Sequence, residues 1–153
     1  MSNPLLIELR ERCEAQMVLS VCNGCSECFI KCSAGVPATR EEWETLQNHI
    51  AELSDEARDA LKRVLAQPKE VDLGDGFTAT LCRFLERDSK RCMVYSARPL
   101  VCRLMGHVEW LPCPIEKVPH VVATPNALAL MQEYAKEERK TLEEWQQDSP
   151  FFE

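Results

Sequence analysis

Helically spaced apolar residues, one Asp-Gly hairpin signal and two sets of spaced cysteines predict a mainly α fold with a small β element, in a single cysteine-rich, metal-centred domain. The chain has 153 residues and 45% apolar content, enough for one domain with a core. Its expected organisation is an N-terminal helix within residues 1–20, a cysteine core over 22–113 and a C-terminal helix over 125–146.

Leu5, Leu9, Cys13 and Met17 recur every fourth residue among charged positions, so a helix with one apolar face is expected from about Pro4 to Leu19. Cys13 reads as a small buried hydrophobe on that face rather than a ligand. The stretch Cys22 to Pro37 holds Asn23-Gly24 and Ala34-Gly35 and reads as a turning loop. Thr39 and Glu42 form a capping-box signature, opening a helix to about Glu52 with Trp43, Leu46 and Ile50 inward. Glu41 and Glu42 are thus helix-start residues before they are catalytic bases.

Ser54 starts the next helix, which buries Ala57, Leu61, Val64 and Leu65 and closes at Pro68. Val71 to Thr80 reads as a hairpin around Asp75-Gly76, with Phe77 and Leu81 packing inward. Cys92 to Tyr95 is expected as a short strand with Tyr95 in the core, and Ala97 to Met105 as a helical turn entered through Pro99. Gly106 to Pro125 reads as an irregular wrap. Thr124-Pro125 then opens the longest helix, with Leu128, Met131, Ala135, Leu142 and Trp145 as its apolar stripe.

The cysteines carry the chemistry. Cys22, Cys25, Cys28 and Cys32 are spaced C-x2-C-x2-C-x3-C, and Cys82, Cys92, Cys102 and Cys113 follow at intervals of about ten residues. Thiols every third residue on a tight loop can converge on one centre, and ferredoxin-type iron–sulfur ligands use this spacing. All eight are candidate metal ligands. The second set lacks the close C-x2-C pairs of zinc ribbons, so one or two [4Fe-4S] clusters are expected, with zinc as the alternative. One partition joins Cys102 to Cys22, Cys25 and Cys28, leaving Cys32, Cys82, Cys92 and Cys113 for a second centre. Arg98 and Arg103 bracket Cys102 and could offset the charge of a thiolate-bound centre. His107 and His120 are weaker ligand candidates.

These residues also carry a resemblance. Cys82-Arg83-Phe84-Leu85, Cys92-Met93-Val94-Tyr95 and Arg98-Pro99-Leu100-Val101-Cys102-Arg103 resemble the C-x-F-L, C-x-I-Y and R-P-x-x-C-R run of the cysteine-cluster (C-x2-C-x2-C-C) family of zinc- or iron-chelating proteins. Cys22, Cys25 and Cys28 match the first three positions of that family's upstream motif, and Phe29 stands where its second adjacent cysteine would be. The resemblance implies metal or iron–sulfur binding with no assigned reaction. One branch resembles flagellin lysine methylases, but nothing here reads as a site for a methyl-donor nucleotide.

A net charge of -7 argues against nucleic-acid binding. No apolar run is long enough for a membrane span, and the acidic N-terminal stretch is unlike a secretory signal. A cytoplasmic location follows as the expectation, since reduced thiols there favour metal binding over disulfides. The functional expectation is electron transfer or redox sensing with a protein partner. The alternatives are a zinc-stabilised adaptor whose acidic C-terminal helix binds a partner, or an accessory enzyme subunit. No catalytic constellation is legible. Trp110, set in the proline-rich wrap, is the leading candidate for a partner contact.

Overall fold

The computed structural model describes residues 3–17, 25, 32–116 and 124–152. Along the chain these form α1 (Pro4–Gln16), β1 (Pro37–Thr39), α2 (Arg40–Ala51), α3 (Asp55–Ala66), β2 (Glu70–Gly74), β3 (Phe77–Thr80), β4 (Leu85–Glu86) and β5 (Arg91–Cys92). A 3-10 turn at Tyr95–Ala97 precedes α4 (Leu100–Leu104), β6 (His107–Val108), β7 (Leu111–Pro112), α5 (Thr124–Tyr134), β8 (Arg139–Thr141) and α6 (Leu142–Asp148). The described residues are mainly helical, and their strands form four antiparallel pairs: β1 with β8, β2 with β3, β4 with β5, and β6 with β7. The chain forms two compact units, each from two stretches: residues 1–28 with 103–138, and residues 29–102 with 139–153.

In the first unit α1 packs on α5. Asn3 caps α1 by accepting from the N–H groups of Leu5 and Leu6, and its amide donates to Glu133 Oε1 at 3.0 Å and Glu137 Oε1 at 3.2 Å. At the other end, Asn126 Nδ2 donates to Gln16 Oε1 at 2.6 Å, so the two helices run antiparallel. Leu6 and Cys13 are the buried residues of α1, while Leu5 is 48% exposed. Steps of four residues advance about 40° too far per step around a 3.6-residue helix, so a strict every-fourth line leaves the packed face. The helix ends at Gln16, where Met17 turns extended as its C-cap, short of the expected end at Leu19. The expected wrap at Gly106 begins instead with the β6–β7 hairpin, which buries His107 and Val108. Gly106 holds a φ of +86°, and a Cβ there would lie 3.6 Å from Cys113 Cβ.

The second unit has its core in Ala38, Trp43, Leu46, Ile50, Leu61, Phe84, Val94, Ala97, Leu142 and Trp145. The Thr39–Glu42 capping box and the Ser54 cap form as the sequence predicts. The expected helix over 125–146 does not form as one element. It stops at Tyr134, and the chain returns as β8 and α6. A second capping box, Thr141 with Glu144, restarts the helix, and β8 pairs with β1 in the register Pro37↔Thr141. On α5 the buried face is Ala127, Leu130 and Tyr134, and Leu128 is 54% exposed. Trp145 Nε1 donates to the Ala38 carbonyl at 2.8 Å and Trp43 Nε1 to that of Ser149 at 3.1 Å, while Phe151 stacks on Trp43.

Two further expectations are corrected in this unit. Phe77 is 69% exposed, because the β2–β3 hairpin is exposed along most of both strands; Leu81 is buried as expected. The strand expected over Cys92 to Tyr95 ends at Cys92, and Tyr95, 46% exposed, begins the 3-10 turn.

Candidate metal centre

Cys32, Cys82, Cys92 and Cys102 belong to one unit and arrive there by four local devices. Ser33 bridges Leu81 in antiparallel register, with Cys82 N donating to the Cys32 carbonyl at 2.7 Å and Ala34 N to that of Thr80 at 2.9 Å. Cys32 and Cys82 therefore stand opposite each other. Cys92 is held opposite Leu85 by β4–β5, and Met93 N donates to the Phe84 carbonyl at 2.9 Å. Cys102 lies in α4, whose first N–H, from Leu100, is accepted by Glu42 Oε1 at 2.8 Å. The other carboxylate oxygen of Glu42 accepts from Thr39 N at 2.9 Å, so one buried side chain caps α2 and braces the start of α4.

The electrostatics reflect this gathering. Burial pushes the Cys102 thiol far above its ordinary value, and the charges of Cys82, Cys92 and Cys32 push it further, against the opposing pull of Arg98. Burial pushes Cys82 up to about 11, assisted by Cys92 and Glu143; the Phe84 N–H donating to its sulfur and the Lys69 ammonium work the other way. Burial also raises Cys92, while the Val94 N–H donates to its sulfur and Arg98 favours its thiolate. Such thiols resist ionisation until a cation replaces the protons. Backbone N–H groups two residues after Cys82 and Cys92 already point at sulfur, as suits a bound thiolate. Among the described residues no set of three or more His, Cys, Asp or Glu side chains is already arranged to hold a metal ion. The donor set, all sulfur with N–H donors and a nearby guanidinium, fits a thiolate-bound metal or cluster.

Arg98 donates through Nε to the Tyr95 carbonyl at 2.9 Å and through Nη1 to that of Cys102 at 3.3 Å, and its guanidinium stacks 3.8 Å from the Tyr95 ring centroid. Arg103 belongs to the other unit, where Nη1 lies 2.8 Å from Glu14 Oε1. Cys25 and Cys113 are half-buried in that unit, and Cys13 on α1 is fully buried there. Cys22, Cys28 and His120 lie outside the described residues. Cys102 falls in the same unit as Cys32, Cys82 and Cys92. Lys69 and Glu143 drew no notice in the sequence. Lys69, whose Nζ donates to the Leu85 carbonyl at 2.8 Å, bears no local signature, and Glu143 reads there as an ordinary acidic residue of a helix.

The fold and the thiol set define a cysteine-rich, mainly helical metal-binding protein. Residues 21–141 match the CxxCxxCC family model, described as "Putative zinc- or iron-chelating domain", and the chain belongs to that family. No curated protein and no solved structure matches it.

Proposed function

We propose that this chain is an iron–sulfur protein in which Cys32, Cys82, Cys92 and Cys102 bind a [4Fe-4S] cluster, and that it transfers electrons or reports redox state to a protein partner. The observation that carries this reading is that four cysteines from separate segments, with Cys32 set opposite Cys82, Cys92 in β5 and Cys102 in α4, fall within one compact unit of a chain from a zinc- or iron-chelating family. Cys22, Cys25, Cys28 and Cys113 are then ligands for a second centre, for which the C-x2-C-x2-C run has ferredoxin-like spacing. A bound cluster supplies one-electron exchange. The chain's own part is to hold the sulfurs, limit water around them and offset their charge. Arg98 and Lys69 serve that last role in the proposal, with the Phe84 and Val94 N–H groups tuning the sulfurs. A reducing cytoplasm is the compartment that suits these thiols.

A zinc-stabilised adaptor without redox chemistry is the second reading, favoured by a four-sulfur donor set complete within one unit. Anaerobic purification followed by iron, sulfide and zinc analysis separates the two. Brown protein with about four irons and four sulfides per centre, bleached by dithionite, supports the cluster. Colourless protein with stoichiometric zinc and no sulfide would replace it with the adaptor.

A further inference from the structure

Cys32 and Cys82 stand in a relation that no other described pair of cysteines has. The Ser33↔Leu81 bridge, flanked by hydrogen bonds at 32/82 and 34/80, puts the two residues directly opposite each other on paired antiparallel backbone. Residues so placed point their side chains to the same face. A directly hydrogen-bonded antiparallel pair has Cα atoms about 5.5 Å apart, inside the 4.4–6.8 Å window of disulfides. The Cβ atoms of a hydrogen-bonded pair lie near the far end of about 4.5–5.5 Å, so closure needs an approach of roughly 1–2 Å. Cys92, by contrast, faces Leu85, and Cys102 sits on a helix. Both Cys32 and Cys82 are thiols here and both are half-buried, within reach of a small reagent.

We infer that Cys32 and Cys82 are a reversible thiol–disulfide modification site, closed by a low-molecular-weight disulfide such as oxidised glutathione when no metal holds them. One thiol of the pair gives up its proton as its sulfur attacks a sulfur of the small disulfide, forming a mixed disulfide and expelling one small thiolate, which takes up a proton. The other thiol then loses its proton and attacks the protein sulfur of that mixed disulfide, expelling the second small thiol. The two protein thiols lose two electrons and two protons, and two small thiols carry them away. The bond removes two of four candidate ligands at once. That consequence for metal binding rests on the proposed thiolate centre, whereas the pairing itself rests only on backbone register.

The test uses the full chain, reduced and metal-free, treated with oxidised glutathione, then digested and mapped by mass. The expected result is a dominant Cys32–Cys82 link, absent when zinc is added first and reversed by dithiothreitol. Zinc uptake by the oxidised chain falls by more than the roughly 10–100-fold caused by losing a supporting contact. A dominant link through Cys92 or Cys102, or no link while circular dichroism reports a folded chain, overturns the inference. Cys32→Ser and Cys82→Ser must each abolish the link; persistence of the same digest fragment in either variant also overturns it. A reduced chain that takes up neither zinc nor iron would defeat the metal-binding proposal and leave the mapped pairing standing.

Discussion

Glu42 holds two helix starts with one carboxylate, accepting from Thr39 N at 2.9 Å and from Leu100 N at 2.8 Å. Each N–H is otherwise an orphan donor at a helix end, and burial makes an unpaired donor expensive. Replacing Glu42 with Ala is expected to cost about 2–4 kcal/mol in urea unfolding, while the exposed neighbour Glu41→Ala stays within about 0.5 kcal/mol. The capping role was legible from Thr39 and Glu42. The second bond was not, because Leu100 lies far along the sequence and nothing local announces it. A paired substitution separates cysteine roles. Cys102→Ser is expected to lower bound metal sharply, measured per chain after anaerobic purification. Cys13→Ala, on a wholly buried side chain in the α1 helix, is expected to cost about 1 kcal/mol and leave metal content unchanged.

At the scale of elements, the β4–β5 hairpin presents Cys92, and its turn is tied by Glu86. That carboxylate accepts from Gln67 Nε2 at 2.9 Å and from the N–H groups of Asp88 and Ser89, which hold its pKa down to about 2. A depressed acid favours the folded state at pH above its ordinary value of 4.5, and that contribution fades as pH falls through the folded value near 2. Protection of the Asp88 and Ser89 amides, taken relative to their intrinsic exchange rates at each pH, should therefore fall on acidification between these values, and Glu86→Gln should weaken that dependence. Helix starts followed the sequence closely wherever a capping residue stood at the boundary. The one long helix expected after Thr124 failed for the same reason read in reverse, since Thr141 and Glu144 repeat the box that opens α2. Leu142 and Trp145 kept the apolar spacing going and concealed the break. Thr141→Ala is expected to cost about 1 kcal/mol in thermal or urea unfolding.

For the whole molecule, the cysteine spacing marked which side chains can ligate metal but not which of them meet. Local pattern encodes the capping residues that open α2, α3 and α6. The meeting of Cys32 with Cys82 depends instead on a single bridge between segments distant in sequence, and the seat of Cys102 depends on Glu42. Residue type therefore made the candidates legible, whereas the register that sets Cys32 opposite Cys82 is long-range. If the proposed centre forms, chelation of the metal-loaded chain should lower its thermal midpoint. The largest gain in hydrogen exchange should fall at 32–34, 80–82 and 91–94, where ligands and backbone pairing coincide. No helix among the described residues is long and apolar enough to cross a membrane.

Discontinuity within the second unit has a temporal side. Leu142 and Trp145 complete the apolar floor beneath Phe84 and Val94, and Trp43 finds its acceptor only at Ser149. A growing polypeptide emerging from the ribosome has presented all four sulfur-bearing positions before β8 and α6 exist to close the layer below them. For that interval the sulfhydryls stand over an incomplete apolar layer and are open to mispairing and scavenging.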